Sequence, residues 1–137
     1  MNSKSIGESS EAQVLAVLLK AYKKVLLPFG DNQRYDLVVD TGSRFVRVQI
    51  KTGRVKNGSL AFETSSITTK NGDFIHKNYT GQIDYFAVYW REKDLVLFVP
   101  IEKTGKRGTT LRFNPTKAYN TTSVNDFVFP KNDPFVP

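Results

Sequence analysis

Two short apolar runs joined by a turn constrain the fold of this chain most. Residues 37–39 and 45–50 predict the two β-strands of one hairpin, because apolar and polar side chains alternate along the second run. Gln49 and Lys51 are two positions apart, so both side chains project from the same face of that strand. Asp36 immediately precedes the first run. A carboxylate, an amide and an ammonium gathered on one hairpin need an explanation beyond packing.

The segment before the hairpin predicts an amphipathic helix over residues 5–24. Ser5 is the expected N-cap, and Glu8 three residues later completes a capping box. Glu11 lies on the predicted apolar stripe, where a carboxylate must be paired, hydrogen-bonded or bound to a metal. The simpler interpretation is a half-exposed Glu11 that the helix dipole stabilises. The apolar positions of the stripe are Leu15, Leu18, Leu19 and Tyr22.

The remainder of the chain is predicted to consist of strands and loops. A Thr-Gly pair at 41–42 and an Asn-Gly pair at 57–58 indicate tight turns. Polar residues dominate 65–82, which predicts a long loop suited either to phosphate and base contacts or only to solvent. The further predicted strands are 25–27, 59–64, 85–90, 95–99 and 110–113. Of these, the two aromatic-rich runs from 85 to 99 predict central strands, with base stacking as the alternative.

Composition limits the class of protein. A chain of 137 residues with 39% hydrophobic residues predicts a single domain over 1–137, with a core at 5–113 and an irregular tail at 114–137. Cysteine is absent and there is one histidine, so neither disulfides nor a multi-histidine zinc site is expected. A net charge of +7 favours polyanionic partners.

The sequence also predicts the compartment. The first residues are polar, and no apolar run approaches the roughly 20 residues that a membrane span needs. We therefore expect neither a signal peptide nor a membrane partner. The expected location is cytoplasmic and reducing.

The order of these features resembles a known nuclease signature. A helix that carries a Glu, then a hairpin with Asp36 and the triplet Gln49-Ile50-Lys51, resembles the PD-(D/E)XK superfamily, and the wider sequence is similar to its group I intron-encoded homing endonucleases. The resemblance implies an α/β (α+β) fold in which helices flank a mixed central β-sheet with a restriction-endonuclease-like core. The segments that carry the resemblance are 6–11, 28–32, 35–36, 49–52, 84–89 and 98–100.

The resemblance also implies an active site. Its catalytic residues would be Glu11, Asp36, Gln49 and Lys51, with Lys51 orienting the attacking water or neutralising developing charge. Mg²⁺, or Mn²⁺ in its place, would bind Asp36, Glu11, the amide oxygen of Gln49 and the main-chain carbonyl of Ile50. Gln49 stands where the superfamily usually has Asp or Glu, so the site loses one negative charge and weaker metal affinity is expected.

One further acid competes for the role of first metal ligand. Asp31 lies in the turn-rich loop before the hairpin. Asp36 is preferred, because it opens the apolar strand and has the usual spacing before the X-Lys pair.

The function that the resemblance implies is site-specific cleavage of double-stranded DNA, of the intron homing type, in a nucleoid or an organelle DNA compartment. Because each chain has one active site, a homodimer or a dimer of dimers would cut both strands of a long pseudo-palindromic site. The aromatic strands or the tail would form the interface between subunits. The candidate DNA contacts are Arg54, Lys56, Lys70, His76, Lys77, Lys103, Lys106 and Arg107.

Other interpretations remain open on sequence alone. The same fold occurs in Holliday-junction and repair-type nucleases, and a cleavage-dead member that only binds DNA would explain Gln49. A β-rich single-strand binder would use the aromatic strands as a stacking platform. The simplest interpretation is a surface hairpin with one salt bridge between Asp36 and Lys51.

Overall fold

A helix packs on one face of a six-stranded sheet, and a three-stranded sheet covers the other face. This computed structural model describes residues 2–114 and 122–137. The helix is α1 (Ser3–Lys20). The strands are β1 (Lys24–Leu26), β2 (Leu37–Asp40), β3 (Phe45–Thr52), β4 (Arg54–Lys56), β5 (Ser59–Glu63), β6 (Ser65–Lys70), β7 (Asp73–Asn78), β8 (Tyr85–Trp90), β9 (Leu95–Pro100), β10 (Gly108–Arg112) and β11 (Val128–Phe129). Short 3₁₀ turns lie at Arg91–Lys93, Ile101–Lys103 and Val124–Asp126.

Helix α1 begins and ends earlier than predicted. Its N-cap is Asn2, whose side-chain oxygen accepts a hydrogen bond from the Ser5 N–H at 2.9 Å. Asparagine caps a helix as well as serine does, so the predicted cap at Ser5 is wrong. At the other end Tyr22 has φ 59°, and this left-handed residue ends the helical path before residue 24.

The buried face of α1 carries Ser10, Val14 and Leu18. The predicted stripe is therefore wrong in part, since Leu19 and Tyr22 are 53% and 94% exposed. A polar pair fixes the helix against the sheet, because the hydroxyls of Ser10 and Thr52 lie 2.6 Å apart. This contact sets the position of the next residue along the helix, Glu11.

The large sheet has the strand order β1-β2-β3-β8-β9-β11. Strands β3 and β8 are parallel and the other neighbours are antiparallel, so the predicted mixed sheet of an α+β fold is confirmed. Within the described residues one α-helix flanks this sheet, where the prediction had several. The core between helix and sheet is built around Leu18, Val39, Val48, Ala87 and Phe98.

The small sheet has the order β10-β5-β4 and covers the opposite face of the large one. Side chains alternate along β8, so Phe86 and Val88 face this small sheet while Ala87 and Tyr89 face α1. The aromatic strands β8 and β9 are thus buried on both faces, as predicted. Their buried side chains are not available as a stacking platform, and only Tyr85, Leu95 and Pro100 at the strand ends are partly exposed.

Strands β6 and β7 form a two-stranded ribbon, residues 65–78, that we call the arm. The prediction of a long loop over 65–82 is wrong. An Asn-Gly turn, with φ 54° at Asn71 and 82° at Gly72, closes the hairpin. Nearly all of the arm is exposed, including Phe74 at 75% and Ile67 at 52%.

The turn between β2 and β3 spans four residues, 41–44, rather than the two that were predicted. Gly42 has φ 94°, in agreement with the positive φ expected of it. The hydroxyl of Thr41 accepts hydrogen bonds from the N–H groups of Ser43 and Arg44, which stabilises the longer turn.

The tail contributes to the large sheet. Strand β11 pairs antiparallel with β9, and Phe129 and Phe135 pack on Phe98 with ring centres 5.2 and 4.8 Å away. The predicted irregular tail at 114–137 is therefore wrong for its last part, while residues 115–121 lie outside those described. The rings of Phe129 and Phe135 are buried in the core of their own chain.

Within the part of the chain that the structure describes, no helix is both long and apolar enough to cross a membrane.

Candidate active site

Asp36 is held at the start of β2 by the backbone of β3. Its N–H donates to the carbonyl of Val48 at 2.8 Å, and its carboxylate accepts from the N–H of Ile50 at 2.7 Å. Burial raises the pKa of Asp36, and the Ile50 hydrogen bond and the positive charge of Lys51 only partly oppose that rise. A partly desolvated carboxylate of this kind is stabilised by a nearby cation.

The backbone of Ile50 faces the same edge of β3. In a strand the N–H and C=O of one residue point to the same side, and the Ile50 N–H points to Asp36. The Ile50 carbonyl is therefore directed toward the edge that Asp36 occupies. This places a neutral oxygen donor beside the carboxylate.

Glu11 and Asp36 line one open cleft of about 450 Å³. Burial, followed by the negative charges of Asp36 and Glu8, raises the pKa of Glu11. The two carboxyl groups are thus close enough to repel one another, although α1 and β2 supply them separately. The other residues that line the cleft are Leu27, Pro28, Gly30, Asp31, Gln33 and Tyr35.

Lys51 projects from the sheet face opposite α1. Its Nζ donates to the hydroxyl of Tyr79 at 3.3 Å and lies 5.1 Å from the centre of that ring. Tyr79 is 4% exposed and meets Phe86 edge-on at 5.5 Å. The positive charge of Lys51 still acts on Asp36 and opposes the rise in its pKa.

Gln49 shares the face of β3 that carries Lys51, as predicted from the alternation. By register it pairs with Phe86 on β8, and it is partly exposed. Asp36 and Lys51 do not form a salt bridge, so the interpretation of the hairpin as a surface hairpin with that one ion pair is wrong. The ion pairs among the described residues join other side chains. Those ion pairs are Lys23–Asp133, Arg47–Asp84 and Arg54–Glu63.

The sequence of residues 1–128 matches the family described as PD-(D/E)XK endonuclease. The chain belongs to the PD-(D/E)XK endonuclease family. The matched region includes Glu11, Asp36 and the Gln-Ile-Lys triplet at 49–51, so the predicted family is confirmed.

A solved structure supports the fold of this PD-(D/E)XK endonuclease. The bacterial homing endonuclease I-Ssp6803I is similar with a TM-score of 0.76 and 22% sequence identity, over 93% of this chain and 89% of that chain. No curated protein sequence matches the chain. At this identity the likeness shows a shared fold.

The donors of the PD-(D/E)XK site fit a hard divalent cation. Glu11 and Asp36 offer carboxylates that repel one another, and Ile50, whose N–H bonds Asp36, offers a main-chain carbonyl on the same side of β3. No group of three or more acidic, histidine or cysteine side chains in the described ranges can hold a metal. Mg²⁺ tolerates such a sparse set, because it keeps several of its waters. The residues present therefore fit a cation that is held by few protein oxygens.

The predicted DNA contacts of the endonuclease fall in three neighbouring elements. Arg54 and Lys56 lie on exposed β4, where Arg54 pairs with Glu63 at 3.4 Å. Lys103 ends a 3₁₀ turn, and Lys106 and Arg107 are exposed in the loop before β10.

The loop before β10 lies beside the start of the arm. The hydroxyl of Thr64 donates to the carbonyl of Gly105 at 2.6 Å, and the Thr64 N–H donates to the carbonyl of Arg107 at 3.0 Å. Because Thr64 is the last residue before β6, these bonds bring the basic loop to the base of the arm.

The predicted DNA contacts of the arm lie on two opposite faces of the ribbon. Ser66 pairs with Lys77, so both side chains share one face, and alternation adds Lys70 to that face. His76 lies on the opposite face, where its Nδ1 is 3.3 Å from the Ser65 hydroxyl. The arm therefore has one lysine-bearing face.

Sequence reasoning missed two residues beside this site, Arg34 and Tyr79. The guanidinium carbon of Arg34 lies 3.8 Å from the centre of the Tyr79 ring. No periodic pattern marks either residue. Tyr79 lies in the segment 65–82, which was predicted to be a loop. The position of Arg34 two residues before Asp36 was the only local signal.

Proposed function

We propose that this PD-(D/E)XK endonuclease cuts double-stranded DNA at specific sites, as homing enzymes of introns do, by Mg²⁺-dependent hydrolysis of phosphodiester bonds. The observation that carries the proposal is the pair of mutually repelling carboxylates, Glu11 and Asp36, in one cleft, with the positive charge of Lys51 acting on Asp36. Mn²⁺ is expected to substitute for Mg²⁺, because both accept oxygen donors.

Four residues would hold the cation: Asp36, Glu11, Ile50 through its carbonyl and Gln49 through its amide oxygen. A bound Mg²⁺ supplies Lewis-acid stabilisation of the phosphate and a more acidic water. Asp36 is oriented for this role because the Ile50 N–H holds one of its oxygens. With Gln49 in place of an acid, the protein contributes two negative charges, and the affinity for the metal is correspondingly low.

Lys51 is the cationic side chain of the site. Its ammonium lies on the same strand as the Ile50 backbone that holds Asp36, and its charge reaches that carboxylate. From there it can orient the attacking water or neutralise charge that develops on the phosphate.

Duplex DNA is the proposed partner because exposed basic side chains concentrate on β4, on the arm and on the loop before β10. Contacts to phosphates by these side chains would position the duplex, and a few of them would read bases.

A homodimer or a dimer of dimers is the proposed assembly, because one site per chain cuts one strand. Its contact does not use the rings of Phe86, Tyr89, Trp90, Phe129 or Phe135, since these rings are buried in the chain's own core. A long pseudo-palindromic target follows from two-fold symmetry.

The proposal predicts that Lys51→Ala lowers cleavage by roughly 100- to 1,000-fold, the usual loss for one group that stabilises transition-state charge. Cleavage of plasmids that carry candidate target sequences, in Mg²⁺ and in EDTA, measures this. Lys24→Ala is the control, since Lys24 is exposed on the edge strand β1 and pairs with Asp40, at the end of β2 away from Asp36.

The same plasmids separate the alternative functions. A cleavage-dead binder, which Gln49 at the acid position favours, would shift the DNA without cutting it in any metal. Cutting that prefers branched DNA over its linear arms would point instead to a junction or repair nuclease.

A further inference from the structure

A single arginine joins the segment that carries Asp36 to both strands of the arm. Arg34 Nη1 donates to the Ser66 hydroxyl at 2.8 Å on β6. Its Nη2 donates to the carbonyls of Lys77 and Asn78 at 3.1 and 2.9 Å on β7. The base of the arm is therefore fixed to the chain two residues before Asp36.

The same guanidinium also fixes Tyr79. It lies over the ring at 3.8 Å, while Arg34 Nε donates to the side-chain oxygen of Gln82 at 2.7 Å on the far side of the turn after β7. Phe86 supports the ring edge-on from the sheet. Tyr79 is thus held between a cation and the core, in a buried position.

Tyr79 in turn is the hydrogen-bond partner of Lys51, which donates to its hydroxyl at 3.3 Å. A lysine ammonium on a flexible four-carbon stem has no fixed position of its own. The place of the Lys51 ammonium therefore depends on where the Tyr79 ring stands. Contacts run without a break from the arm through Arg34 and Tyr79 to Lys51.

We propose that Arg34 is a positioning residue that fixes the Lys51 ammonium through Tyr79 and docks the arm beside Asp36. The inference rests on the proposed role of Lys51 in cleavage. Arginine suits the task because its planar fork donates to several acceptors while its face stacks on an aromatic ring, which lysine cannot do at once.

The proposal links DNA contact on the arm to the cleavage site. Ser66, which bonds Arg34, shares its face of the arm with Lys70 and Lys77. DNA held by these lysines would lie against the element that Arg34 fixes. Loss of Arg34 should therefore loosen the arm and misplace Lys51 together.

The first test needs neither metal nor DNA. Amide hydrogen exchange of Arg34→Gln should be roughly 10- to 100-fold faster in the arm than in wild type, because several charge-assisted hydrogen bonds are lost. Arg44→Gln is the matched control, since Arg44 also donates to a carbonyl, that of Pro134 at 2.8 Å, far from the arm. Unchanged exchange in the arm would overturn the docking role.

The second test measures the single-turnover cleavage rate at saturating protein, so that weaker DNA binding does not enter. Arg34→Gln should lower this rate on the order of 100-fold, as misplacement of a reacting group does. Tyr79→Phe removes only the hydroxyl that Lys51 reaches and should lower the rate about tenfold. The double variant should be no slower than Arg34→Gln, because both act on Lys51.

The other outcomes of the cleavage test also decide whether Arg34 positions Lys51. A wild-type rate in folded Arg34→Gln, or losses that multiply in the double variant, would show that Arg34 does not act through Tyr79. If Arg34→Gln fails to fold, Arg34→Lys replaces it, with an intermediate rate in support and a wild-type rate against. If the wild-type protein cuts no DNA, the proposed function fails, while hydrogen exchange still decides the docking of the arm.

Discussion

Asp36 takes its position from the backbone of β3, and its chemistry follows from that position. Its bond to the Ile50 N–H orients the carboxylate, and burial raises its pKa. Glu11 reaches the same cleft from a helix that a Ser–Thr contact fixes against the end of β3. The two acids thus come together through tertiary packing, not through their spacing in the sequence.

Because its pKa is raised, ionised Asp36 destabilises the folded state in the absence of metal. The folded state binds the proton more tightly than the unfolded state, so stability falls as pH rises from the ordinary value of 3.8 through the raised value. Asp36→Asn keeps an acceptor for the Ile50 N–H without the charge. In EDTA at pH 7 it should therefore stabilise the fold by about 1 kcal/mol. Chemical denaturation measures this, and a lower midpoint than wild type would contradict it.

Gln49 should limit the affinity of the site for metal. Gln49→Glu adds a carboxylate on the strand face of Lys51 and restores the acid that the family motif has at this position. The half-saturating Mg²⁺ concentration for cleavage should fall about tenfold, equivalent to about 1.4 kcal/mol. Gln33→Glu, in the lining of the cleft but outside the proposed ligands, controls for charge alone. An equal effect of both variants would show that Gln49 lies away from the metal.

At the scale of elements, the arm is the part of the fold that the sequence concealed. Its strands are mostly polar, with Ile67, Phe74 and Ile75 as their apolar residues. Such a composition is typical of a solvated loop, because no face of the ribbon enters the core. The Asn71-Gly72 pair was a true hairpin signal. The central hairpin was predictable because one of its faces is buried, which fixes the alternation.

The lysine-bearing face of the arm should bind phosphate. Lys77→Ala should reduce the slope of log Kd against log salt concentration by about 0.9, since one phosphate contact is lost. Thr69→Ala, on the opposite face, should leave the slope unchanged. Fluorescence anisotropy with duplex DNA in Ca²⁺ measures both, and equal slopes for the two variants would contradict a phosphate contact by Lys77.

At the scale of the whole molecule, the layers follow from alternation along β8 and β9, whose two faces belong to two different cores. The sequence pattern predicted these central strands, and the family resemblance implied the mixed sheet. It did not predict that the tail returns to add β11 to the edge, because the aromatic residues of the tail have no period that indicates a strand. The site residues came from the order of the motif, whereas Arg34 and Tyr79 act through long-range contacts that no local pattern records.

The most direct test of the account compares wild type with Asp36→Asn on supercoiled plasmid that carries a candidate target, in Mg²⁺ and in EDTA. We predict that wild type nicks or linearises the plasmid at one site in Mg²⁺ only. Asp36→Asn should bind the same DNA and leave it intact. Cutting by Asp36→Asn at the wild-type rate, or cutting by wild type in EDTA, would contradict the account.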